Sequence, residues 1–143
     1  MNIQKILMNP RFKLERSDPA PPEALKNFLE KAPANLPVKY VQFMKACDGA
    51  KGDVPYDSGY IEIWPIEQAL EKQAGYGLET TLPGFFAFAS DGSDRVFVFD
   101  LRQPDGAAVL STDASRPDKD DLEDIAPSFS QFLEHITLMG GGG

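Results

Sequence analysis

The side chains in this chain that could do chemistry are mostly carboxylates. Asp91, Asp94 and Asp100 lie in or beside the segment from Pro83 to Asp100, and Asp113, Asp118, Asp120 and Asp121 follow. Hard cations such as magnesium or calcium take several oxygen ligands, so Asp91, Asp94, Asp100 and Asp113 are the residues a metal-dependent enzyme would use. Against that, Asp118-Lys119-Asp120-Asp121-Leu122-Glu123-Asp124 lacks the glycine and the alternation of a calcium loop, and such a run reads as a solvated acidic loop. Asp91 stands before Gly92 and reads first as a turn residue. The single histidine, His135, falls off the apolar stripe near the end of the last helix, where a cation is favoured. It reads as a solvated or capping residue, because no Ser or Cys nucleophile is placed to partner it. The single cysteine, Cys47, cannot form an internal disulfide and reads as a small core residue; one His and one Cys do not make a zinc site. Gly75-Tyr76-Gly77 lacks the flanking pattern of a phosphate loop. The expectation is a protein without cofactor, metal or catalytic set.

The charge balance points the same way. Asp and Glu number 22 against 14 Lys and Arg, a formal net charge of −8, and the sequence pI is about 4.6. A surface this acidic repels phosphate backbones and argues against direct nucleic-acid binding. It steers basic protein partners, although solubility alone would also account for it. No apolar run approaches the roughly 20 residues of a membrane span, the first ten residues are too short an apolar patch for a secretory signal, and a lone cysteine suits a reducing compartment. The expected setting is cytoplasmic, away from the membrane.

The elements that would position these groups follow from periodicity. Arg11 to Arg16 alternates as a weak strand. Pro22 is suited to the first position of a helix carrying Leu25, Phe28, Leu29 and Ala32, and Pro33 ends it. Leu36-Pro37 opens a second helix with Tyr40, Val41, Phe43, Met44 and Cys47 inward and Gly49 as its C-terminal cap. Ala50 to Ser58 reads as a polar loop, and Tyr60 to Trp64 as a strand with Ile61 and Ile63 on one face. Tyr60 and Trp64, on the opposite face, are either core or an exposed aromatic platform, with Tyr56 and Tyr76 as exposed loop aromatics. Pro65 starts a short helix with Ile66, Ala69 and Leu70 that ends at Gly75. Two aromatic runs flanking Ser90-Asp91-Gly92-Ser93-Asp94 form a hairpin. Gln103 to Gly106 is a turn into a third strand, Ala107 to Thr112, and Asp113 to Asp124 a loop with at most one helical turn. Ser128 and Gln131 make a capping box for a last helix with Phe129, Phe132, Leu133 and Ile136 on one face, and Gly140 to Gly143 is a tail. This order predicts an α+β fold: one domain over residues 1–143, with a mostly antiparallel central sheet containing a β-meander, packed by N-terminal and C-terminal helices. Phe97-Val98-Phe99 is apolar on both faces, so the sheet there should be covered on both sides.

Taken in order, several phrases resemble the SUKH superfamily, in its Knr/Smi-like branch of cell-wall-assembly regulators and bacterial immunity proteins. They are Leu36-Pro37 with Tyr40, Phe43 and Asp48-Gly49; Ile63-Trp64-Pro65-Ile66-Glu67; the hairpin Pro83 to Asp100; and Ala126-Pro127-Ser128-Phe129-Ser130-Gln131-Phe132-Leu133, spanning a matching core of residues 22–138. Ser93-Asp94 departs from a second glycine common after the Asp-Gly turn. The resemblance implies a non-enzymatic protein-binding domain. One reading is an immunity protein that neutralises a toxin, often a basic nuclease; the other is an intracellular scaffold or regulatory module without a toxin. On the immunity reading the expected contact residues are exposed acidic and aromatic loop positions: Asp53, Tyr56, Asp57, Asp91 and Asp94.

Overall fold

The computed structural model describes residue 5 and residues 14–33, 35–53, 59–102, 108–134 and 136. Among these, seven strands form one sheet in simple sequence order, each antiparallel to the next. They are β1 (Glu15–Arg16), β2 (Ala50–Asp53), β3 (Tyr60–Ile63), β4 (Phe85–Ser90), β5 (Arg95–Asp100), β6 (Val109–Asp113) and β7 (Glu123–Ala126). The helices are α1 (Pro22–Lys31), α2 (Val38–Ala46), α3 (Ile66–Gly75), the short α4 (Leu78–Thr81) and α5 (Phe129–Leu133). This is the α+β architecture the element order predicts.

The core is an aromatic cluster on one face of the sheet. Phe86 and Phe88 of β4 and Phe97 and Phe99 of β5 meet Phe28 of α1, Tyr40 and Phe43 of α2, and Phe129 and Phe132 of α5. Phe88 and Phe99 stack with centroids 4.1 Å apart, while most other pairs meet edge to face. Both geometries align ring edges with electron-rich faces and contribute about 0.5–1.5 kcal/mol per pair beyond area burial. A bulge makes this possible: Ala87 pairs with Val98 and Ala89 with Phe97, so Phe88 is the extra residue that turns its ring into the cluster. Phe97, Val98 and Phe99 are all buried, as residues covered on both faces must be.

The helices begin and end for local reasons. Pro22 opens α1 in the first turn, where its missing N–H costs nothing. Ser128 accepts the Gln131 N–H at 3.2 Å to start α5, and the Gln131 side chain turns onto the Ser128 hydroxyl at 3.0 Å rather than onto the backbone. Four expectations need correction. Gly49 does not cap α2, which ends on extended Cys47. Instead Gly49, at φ +93°, lies so close to the end of β3 that a Cβ there would sit 2.5 Å from the Ile63 carbonyl. Ala50 to Asp53 is a strand, because ladder bonds to β1 and β3 outweigh the poor strand propensity of Lys, Gly and Asp. Glu123 to Ala126 is likewise a strand, recruited by the edge of β6. Leu29, placed on the inner stripe of α1, is 40% exposed, since Phe28 occupies the face toward the sheet.

Candidate functional site

The antiparallel order brings the expected contact segments to one end of the sheet. β2 ends there at Asp53, β3 starts at Tyr60, the β4–β5 turn spans Asp91 to Asp94, and β6 ends at Asp113 opposite Arg95. Tyr60 lies against the turn, since a Cβ on Gly92 would be 3.5 Å from its ring. Asp53 and Asp94 are exposed. Tyr56, Asp57 and His135 lie outside the described residues.

Asp91 is different from what an exposed contact residue would be. It is 7% exposed, and its Oδ1 accepts the N–H groups of Ser93 at 2.9 Å and Arg95 at 3.1 Å. Its own N–H donates to the Arg95 carbonyl at 3.2 Å. Oδ1 thus holds the turn together, so Asp91 shapes the tip and the exposed Asp94 is what the tip displays.

Arg95 ties the hairpin to the chain that follows. Its guanidinium donates to the Asp121 carboxylate at 2.9 Å and the Ser111 hydroxyl at 3.0 Å, and Glu123 lies 3.8 Å away. The same Asp121 oxygen accepts the Asp113 N–H at 2.9 Å. That backbone bond, with Arg95 and Thr112 assisting, holds the Asp121 carboxyl below the ordinary carboxylate range. Asp113 is lowered chiefly by the Ser115 hydroxyl. Asp118 accepts from Asp120 N–H at 2.9 Å and so starts the single 3₁₀ turn Lys119–Asp121. These bonds fix a surface on which Asp94, Asp118, Asp120, Glu123 and Asp124 are exposed, and Asp53 is exposed at the end of β2. Arg95, Arg116 and Lys119 are the cations within 91–95 and 113–124. Exposed carboxylates thus gather in and beside the turns at this end, while Asp18, Glu23, Glu30, Glu67 and Glu71 are exposed elsewhere and Lys51 is exposed on β2.

The described carboxylates named above lie apart. Asp100 is at the far end of β5, about 17 Å along the strand from the turn, where its oxygens accept from Arg102. Those bonds lower its carboxyl. No group of three or more His, Cys, Asp or Glu side chains among the described residues could hold a metal ion. Cys47 is buried beneath α2, and burial pushes its thiol up to about 11, which suits a core residue rather than a nucleophile. Trp64 is buried against Tyr76, with ring centroids 5.9 Å apart; no exposed platform exists there. Tyr76 itself is half-buried.

Two structural roles escaped sequence reasoning. Asp48 Oδ1 accepts the Ile66 N–H at 2.9 Å and caps α3 from 18 residues upstream. The Gln73 side chain pairs with both the N–H and the C=O of Ala87, at 2.9 and 2.7 Å, standing in for β3 where that strand has left β4. Near this point a groove of about 430 Å³ opens at the other end of the sheet. Its polar side chains are Lys31 and Gln73, the latter committed to Ala87. No helix among the described residues is long and apolar enough to cross a membrane.

Compared with known proteins, residues 19–135 match the SMI1 / KNR4 family (SUKH-1). No curated protein matches the chain.

Proposed function

Since the chain belongs to the SMI1 / KNR4 family (SUKH-1), we propose that it is a non-catalytic, cytoplasmic protein-binding domain, an immunity protein that occludes a basic toxin. Membership supports a protein-interaction role. The observation that carries the finer reading is the set of exposed carboxylates Asp94, Asp118, Asp120 and Glu123 around the Arg95–Asp121 pair at one end of the sheet. Turns whose backbone is already bonded, through Asp91, Asp118 and Asp121, present their carboxylates to a cationic partner without first being ordered, which lowers the entropic cost of association. Their summed field raises the encounter rate with a basic domain and repels nucleic acid. The contact residues in this reading are Asp53, Tyr56, Asp57 and Asp94, joined by Asp118, Asp120, Glu123 and Asp124.

Co-expression with the toxin domain encoded beside its gene tests the reading. The expected result is restored growth and a complex that survives purification at low salt. Absence of both protection and complex would sink the immunity reading. Capture of housekeeping enzymes instead would favour a scaffold.

A further inference from the structure

The sheet has two edges. β1 is two residues long, with one residue of each charge, Glu15 and Arg16. β7 is a four-residue strand held on its inner side by pairing of Glu123, Asp124 and Ala126 with Ser111, Leu110 and Val109. Among the described residues no strand pairs with its outer side. Its first two side chains are exposed, while Ile125 and Ala126 are half-buried against the core. An edge of this kind is a row of backbone donors and acceptors already aligned for another strand.

We propose that β7 is a docking edge at which an extended, basic segment of a partner protein adds as an eighth strand. The proposal rests on the protein-binding reading above and names the geometry of the contact. Backbone bonding supplies affinity in such additions, and flanking side chains choose the partner. Here the flanking side chains are Glu123 and Asp124 on the strand and Asp118 and Asp120 in the turn before it, all exposed. Opposite charges across adjacent strands stabilise the pairing and like charges oppose it. A second copy of this chain would bring its own Glu123 and Asp124 to the same seam, so the charge that admits a basic strand excludes self-pairing. The extra residue at Ile125, where the register with β6 shifts, bends the strand and limits the added segment to a few residues.

A six-residue peptide alternating lysine and valine, labelled for fluorescence anisotropy, tests this on the whole protein. The expected result is saturable binding, with hydrogen-exchange protection appearing on β7. Methylating alternate peptide nitrogens, which removes donors but keeps charge, should weaken binding about tenfold or more. In the protein, Ile125→Pro should do the same, and Glu123→Lys with Asp124→Lys should transfer the preference to a glutamate-valine peptide. Exchange protection of β4 and β5 checks that each variant is folded, and the methylated peptide needs no variant. No binding at millimolar peptide, binding indifferent to methylation, protection elsewhere, or dimerisation through β7 would each overturn the proposal. Toxin neutralisation that survives Ile125→Pro overturns strand addition but leaves the immunity reading. Peptide addition at β7 without toxin protection does the reverse.

Discussion

Tyr40 is the most exposed to chemical argument of the core residues, because its ring and its hydroxyl pull in opposite directions. The ring sits among Phe86, Phe88, Phe99 and Phe129, while the buried hydroxyl finds no hydrogen-bond partner among the described residues. Burial, with the Asp48 charge assisting, raises its ionisation far above the normal tyrosine range. A buried unsatisfied hydroxyl costs about 1–3 kcal/mol, so Tyr40→Phe should leave the urea midpoint unchanged or raise it. A clear drop would show that the hydroxyl is bonded in solution. Asp121 makes the opposite case. Its carboxyl is lowered in the folded state, as are those of Asp100 and Asp113. Their contribution is therefore complete above the unfolded carboxylate value of about 3.9 and is lost as pH falls through the lower folded values. The urea midpoint should be flat from pH 7 to 5 and fall steeply below about 4. Asp121→Asn should lower the neutral-pH plateau and flatten that acid slope.

Among the elements, α3 is held by contacts that no local pattern announces. Gln73 occupies the place of a strand beside Ala87, so Gln73→Ala should cost about 2 kcal/mol by stripping both bonds from β4. The same change should speed amide exchange at Ala87 more than at Val98, which remains paired inside the sheet. Gly49 and Gly77 separate conformation from space. Both have positive φ, +93° and +65°, but a Cβ on Gly77 would meet nothing within 4 Å whereas one on Gly49 would strike the Ile63 carbonyl. Gly77→Ala should cost about 1 kcal/mol and Gly49→Ala roughly 3 kcal/mol or more, read from denaturation midpoints. Equal losses would mean that the chain around Ile63 and Trp64 gives way.

For the molecule as a whole, the net charge of −8 and the exposed carboxylates around the β4–β5 turn should show in association. With a cationic partner domain, the on-rate should fall about tenfold or more between 20 and 300 mM salt, and a joint Asp94→Asn, Asp118→Asn and Asp120→Asn variant should lose most of that dependence. An on-rate that ignores salt would separate binding from the acidic end. The central hairpin, the four main helices and the antiparallel order were legible in the sequence because aromatic runs, proline starts and helical spacing are local signals that packing reinforces. Asp48 and Gly49 were visible as a phrase, but their work lies across the fold, on α3 and on Ile63. β2 and β7 were not legible at all, because Lys51, Gly52, Glu123 and Asp124 become strand only where a neighbouring edge supplies the bonds. By itself the sequence determined the elements with strong periodicity, a chain with a single histidine and a single cysteine, and the net charge of −8. Only the tertiary structure decided that Asp91 is buried in its own turn, that Asp100 stands apart, and that Asp53, Asp94, Asp113 and Asp121 come to one end of the sheet. Which residues share an end depends on strand order and register, and those are set by long-range backbone pairing that no short stretch of sequence encodes.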